Sequence, residues 1–247
     1  MIHSDVTPQL VYQILNAPIR EHPFPHFFTQ NIFPQTLYNE ILNHMPDDIE
    51  YQTLLDQGYV YTSPQKEEAY KHRDTIMLNP TDLQIKDKKK RLFWQDLTTV
   101  ITSPEFIVPI TLKFKQPLLT RFGENANIKY KILIDLLRDT EMWALGPHTD
   151  HPDKIMVILI YLPSNNLTPY LGTSLYTPKE HGFTCEGGPH HSREHFNCCA
   201  TLPFLPNSAF GFCKNNVSFH GVESVKKVGD VRNLIQISVL KEDSILL

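Results

Sequence analysis

Five residues, Gly146-Pro147-His148-Thr149-Asp150, hold the side chains best suited to chemistry. In an extended strand, residues two apart project to the same side, so His148 and Asp150 can reach a single metal ion together. Two imidazoles and one carboxylate on one face of an octahedron leave the opposite positions open, which suits ferrous iron reacting with O2. The pair needs a third ligand, and His220 supplies one from Val217-Ser218-Phe219-His220-Gly221-Val222, which reads as a strand. On its own a His-x-Asp pair is a common accident. Its weight comes from Arg232, which follows His220 at the start of Val231-Arg232-Asn233-Leu234-Ile235. A guanidinium fork binds a carboxylate through two parallel bonds. 2-Oxoglutarate presents such a carboxylate at one end and a metal-chelating keto acid at the other.

These residues need a rigid frame. From about residue 128 the chain breaks into short β-rich runs separated by Pro, Gly and Asn: 128–135, 143–148, 154–162, 173–177, 208–214, 217–222 and 234–240. Short strands at this spacing predict a sandwich, barrel or jelly roll. Residues 1–125 differ in character. Helical spacing over 34–45 places Leu37, Ile41, Leu42 and Met45 on one face, with Pro34 and Pro46 at the ends. A second helix is expected within 81–102, and a third, interrupted by Pro109 and Pro117, over 106–122. The run Lys86 to Arg91 reads as a solvated face. No linker divides the chain, so residues 1–247 are expected to form one domain: a helical support region (1–125) and a β core carrying the site (126–247). The polar stretch 51–79, rich in Tyr and Gln, is a candidate cover for the site.

The ordered set Leu137-Arg138-Asp139, Pro147-His148-Thr149-Asp150, Lys154 to Pro163 (KIMVILIYLP), Leu171 to Tyr176 (LGTSLY), Pro206-Asn207-Ser208, Ser218 to Val222 and Arg232 resembles the Fe(II)/2-oxoglutarate-dependent oxygenase superfamily, in its bacterial prolyl-hydroxylase-like branch. The resemblance spans about residues 128–240. It implies a double-stranded β-helix (jelly-roll, cupin-like) core with iron held by His148, Asp150 and His220. It implies Fe(II), 2-oxoglutarate and O2 as the working set, with Arg232 on the co-substrate carboxylate. It also suggests that Tyr161 bonds the co-substrate, that Arg138 faces the pocket, and that Thr173 lines it. The Arg-x-Ser pattern of plant-type relatives is missing, because Leu234 stands two residues after Arg232. Halogenases of the superfamily lack the carboxylate ligand; its presence as Asp150 favours hydroxylation or a related oxidation.

Bulk properties narrow the alternatives. The 247 residues carry a net charge of -4, so nucleic acid is not the expected partner. No apolar run approaches the roughly 18 residues of a membrane span, and residues 1–15 lack a secretory pattern. A cytoplasmic location with four reduced cysteines is therefore expected. The loop around His181, Cys185, His190, His191, His195, Cys198 and Cys199 fits no zinc-site spacing and is expected near the mouth of the site. The substrate, small molecule or peptidyl side chain, is not encoded in any motif, and neither is the oligomeric state. Two other readings stay open: a jelly roll that binds ligand or metal without turnover, and a cupin-type metalloenzyme that does not use 2-oxoglutarate.

Overall fold

The computed structural model describes residues 6–54, 56, 70–78, 83–124, 128–225 and 227–242. Five α-helices lie in this set: α1 (Val6–Asn16), α2 (Gln35–Asn43), α3 (Lys88–Ile101), α4 (Pro104–Lys113) and α5 (Lys115–Phe122). The first four each bury apolar residues on one side, whereas α5 buries none fully. Helix α1 buries Val6, Leu10 and Ile14, an i, i+4, i+8 row. Helix α3 starts where the Asp87 side chain accepts a hydrogen bond from the Lys90 backbone N–H at 2.8 Å, and it buries Trp94, Leu97, Thr98 and Ile101. The single helix expected over 106–122 is two. Pro117 has no N–H to give the Lys113 carbonyl, and the chain breaks at Phe114.

Among the described residues there are eleven strands, β1 (His26–Gln30), β2 (Gln52–Thr53), β3 (Arg73–Met77), β4 (Tyr130–Asp139), β5 (Leu145–His148), β6 (Lys154–Tyr161), β7 (Thr173–Pro178), β8 (Phe196–Leu202), β9 (Ser208–Cys213), β10 (His220–Val222) and β11 (Arg232–Lys241). They form a seven-stranded sheet, β1-β9-β6-β11-β4-β3-β2, and a four-stranded sheet, β5-β10-β7-β8. All pairings are antiparallel.

Two cores separate along these strands with period two. Ile134, Leu136, Ile158, Ile160, Ile235 and Ile237 face the helices. Leu137, Val157, Leu159, Tyr161 and Leu234 face the small sheet, meeting Leu145, Leu175, Leu202 and Val222. The central strands are buried on both faces, which is why they read as continuous apolar runs. The expected fold class, a mainly β double-stranded β-helix with N-terminal helices, is what the chain forms. The first 125 residues also differ from expectation in an unexpected helix, α1, and in their strands. They add β1, β2 and β3 to the large sheet besides supplying the helical layer. Strand β8 was expected to be loop. Its FNCCATL sequence has few strong strand formers, and its five central residues are exposed at the edge of the small sheet. Most of the stretch 51–79 expected to cover the site lies outside the described residues. Among the described residues no helix is long and apolar enough to cross a membrane.

Candidate metal centre

His148 ends β5 and His220 starts β10, and the two are direct partners in the antiparallel register. Their ring centroids are 4.4 Å apart. The strands approach closely because residue 221 is glycine: a Cβ there would collide with the Leu145 carbonyl. Asp150 follows two residues after His148. One ligand atom from each of the three lies within 4.8 Å of the others, and all three residues are buried.

The groups around the triad aim it inward. His148 Nδ1 lies 3.0 Å from the Gly146 carbonyl oxygen, and His220 Nδ1 lies 3.0 Å from that of Ser218. A carbonyl only accepts, so each Nδ1 donates and each Nε2 keeps its lone pair for a metal. Sequence reasoning named no partners for these nitrogens; both prove to be the backbone two residues earlier. Lys154 Nζ donates to Asp150 Oδ1 at 2.8 Å. Asp150 Oδ2 is buried and has no hydrogen-bond partner. It stands 3.8 Å from His220 Nε2, within the roughly 4 Å that two ligand bonds of about 2.1 Å can span. An orphaned buried carboxylate oxygen beside two unprotonated ring nitrogens is an arrangement that a divalent cation satisfies.

Electrostatics favour the ligating protonation states. Burial lowers the His148 pKa well below its ordinary value, and His220 and His190 add to the effect. Burial likewise lowers that of His220. Burial pushes the Asp150 carboxyl up, but Lys154, His220 and His148 outweigh it and hold the group below the usual carboxylate range. The triad is thus set as two neutral imidazoles and a carboxylate.

Arg232 opens β11 fully buried. Its Nε donates to the Leu171 carbonyl at 2.7 Å, its Nη1 to Asp139 Oδ2 at 2.7 Å and its Nη2 to Thr173 Oγ1 at 3.2 Å. Thr173 Oγ1 also meets the Tyr161 hydroxyl at 2.6 Å, so Arg232, Tyr161 and Thr173 form one cluster. Asp139 is shared. Arg73 on β3 grips it from the other side, through Nε at 2.5 Å and Nη2 at 2.7 Å, while its guanidinium carbon sits 4.1 Å from the Trp143 ring centroid. Two guanidiniums on one carboxylate leave a unit of positive charge beside the metal triad, in the same cavity of about 720 Å³.

Sequence reasoning passed over Arg73 and gave Asp139 and Lys154, though part of the matching segments, no role in the site. Arg138, by contrast, does not reach the cavity. It neighbours Asp139 on β4 and therefore faces the opposite side, where it pairs with Asp48. The resemblance located it by distance from His148, but the intervening loop breaks the strand parity. The 181–195 loop does reach the mouth of the site: Gly187 to His190 line the cavity, and the His190 ring centroid is 4.9 Å from that of His148. Among the described residues the one cluster that could hold a metal is the triad, so this loop contributes a wall.

No protein-family profile matches the chain, and no curated protein sequence matches it. Solved structures do. A prolyl 4-hydroxylase from Phytophthora capsici superposes with a TM-score of 0.52 over 98% of this chain and 68% of its own, at 11% identity. A prolyl hydroxylase from Trichoplax adhaerens, solved with a peptide fragment of the hypoxia inducible factor oxygen degradation domain, gives 0.50 over 96% and 90%, at 12% identity. An oxidoreductase of the 2OG-Fe(II) oxygenase family from Burkholderia pseudomallei gives 0.48 over 99% and 94%, at 12% identity. At such identities the likeness is one of fold: the chain has the double-stranded β-helix fold of the prolyl hydroxylases, the fold of 2-oxoglutarate/Fe(II) oxygenases.

Proposed function

We propose that this chain is an Fe(II)- and 2-oxoglutarate-dependent oxygenase that hydroxylates a C–H bond of a small-molecule or peptidyl substrate. His148, Asp150 and His220 hold the iron, and Arg232 holds the distal carboxylate of 2-oxoglutarate with Tyr161 and Thr173 beside it. The observation that carries this reading is the pairing, in one cavity, of an unpartnered Asp150 Oδ2 flanked by two histidines with a buried cluster of net positive charge. A cation and a dianionic chelator complete both halves at once.

When bound, iron and 2-oxoglutarate supply O2-driven oxidation of an unactivated C–H bond, with release of succinate and CO2. The protein's part is positioning and exclusion of water. Lys154 occupies Oδ1 of Asp150 and leaves Oδ2 as the ligand atom. Backbone carbonyls fix the tautomers of both histidines. Asp139 holds the Arg232 guanidinium in place, and Leu159, Val157 and Leu234 give the chamber apolar walls. The carboxylate ligand argues for hydroxylation over halogenation. We read residues 1–247 as one domain, since β1 to β3 from the N-terminal region complete the sheet that carries Arg232.

The test is O2-dependent conversion of 2-oxoglutarate to succinate by the Fe(II)-loaded protein without added substrate. Slow turnover that disappears in His220→Ala and needs far more 2-oxoglutarate in Arg232→Met supports the assignment. Metal binding without any effect of 2-oxoglutarate would move the protein to the cupin-type or non-catalytic class.

A further inference from the structure

The cavity holds a carboxylate that the proposed chemistry leaves unused. Asp135 lies on β4, two inward-facing positions from Asp139, and lines the chamber. Its cross-strand neighbour on β11 is Gln236, which also lines it. Along β11, Gln236 is four residues from Arg232, about 13 Å of strand. The carbon chain of 2-oxoglutarate has four C–C bonds of about 1.5 Å and cannot span more than about 6 Å. A co-substrate anchored at Arg232 therefore does not reach Asp135, which belongs to the part of the chamber left for substrate.

The charges in the chamber support a specific reading. Lys154 is bonded to Asp150, and Arg73 and Arg232 are bonded to Asp139. Among the described residues, no hydrogen bond or ion pair reaches Asp135, although Lys154 and Arg73 are close enough to act on it through space. Burial pushes its carboxyl up to about 6, the mark of a charge without a partner. Gln236 Nε2 donates to Ser238 Oγ at 3.4 Å, leaving its carbonyl oxygen as a second acceptor beside Asp135. Met77, the cross-strand partner of Asp135 on β3, and Leu133, two residues before it on β4, supply apolar surface beside these acceptors. An ammonium group has three donors and no acceptor, and it complements this pair.

We propose that Asp135 and Gln236 form the subsite for a protonated amine of the substrate, so that the molecule oxidised is an amine carried on an aliphatic frame. This rests on the oxygenase reading, whose metal and co-substrate sites can be checked separately. The protein is loaded with Zn(II), a redox-silent stand-in, and 2-oxoglutarate, and binding of both is verified first; failure at that step counts against the oxygenase assignment. The loaded protein is then titrated with 1,4-diaminobutane and, in parallel, 1,4-butanediol, by ligand-observed NMR. The diamine should bind at least tenfold more tightly than the diol, and Asp135→Asn should erase the difference. Equal affinities, no detectable diamine binding, or a diamine preference that survives Asp135→Asn would each overturn the subsite.

Discussion

Replacing Asp139 with asparagine removes the one negative charge between two buried guanidiniums while keeping the side chain's shape. Asp139 is fully buried and accepts from Arg73 at 2.5 and 2.7 Å and from Arg232 at 2.7 Å. Breaking a buried ion pair by removing one partner costs about 3–5 kcal/mol. For a domain of 150–250 residues each kcal/mol moves Tm by about 2–4 °C, so the apoprotein should melt about 6–20 °C lower. The control is Arg138→Gln. Arg138 sits one residue away, but its partner Asp48 is 81% exposed, and such pairs contribute about 1 kcal/mol or less. Calorimetry of the two variants beside the wild type decides the matter. A Tm loss for Asp139→Asn no greater than for Arg138→Gln would refute the idea that this carboxylate organises the anion end of the site.

Three further outcomes follow from the same contacts. Lys154→Met frees Asp150 Oδ1 and should weaken metal binding by about 10–100-fold, read by anaerobic calorimetric titration with Fe(II). Arg73→Gln leaves Asp139 to neutralise Arg232 alone, so the Kd for 2-oxoglutarate should rise on the order of tenfold, while Fe(II) affinity holds. The third concerns pH. In the folded protein the Asp135 pKa is raised by burial to about 6, against about 3.9 when unfolded. The folded state binds more protons between these values, so the charged carboxylate destabilises the fold fully above about 6 and not at all below about 4. Asp135→Asn should be more stable than wild type at pH 8, with the gain fading as pH falls towards 4. Denaturant titrations across that range measure it, and a gain independent of pH would contradict it.

The parts of the site that were legible in the sequence are those encoded by strand period and chain order. His148 and Asp150 two apart, a histidine in a later strand and an arginine opening the last strand are local patterns, and the fold brings His148, Asp150 and His220 together with Arg232 in the same cavity. The illegible parts depend on long-range register. Arg73 and Asp139 are 66 residues apart, and no local pattern links them. The polar face of β4 could not be assigned because both its faces carry apolar residues, and a one-residue slip exchanges Arg138 for Asp139. Asp135 and Gln236 read as ordinary polar interruptions until cross-strand pairing shows them side by side. The same limit explains the N-terminal strands: β2 and β3 are short and polar, and they become strands by adding to an edge already formed by β4.

The most direct test of the central claim is an anaerobic titration of the apoprotein with Fe(II) and then 2-oxoglutarate, followed in the visible region. Chelation of ferrous iron by the 2-oxo acid at a two-histidine, one-carboxylate site produces a weak charge-transfer band. The wild type should show that band, His148→Ala should lose it, and Arg232→Met should need much more 2-oxoglutarate to produce it. Iron bound by the wild type with no band at any 2-oxoglutarate concentration would contradict it.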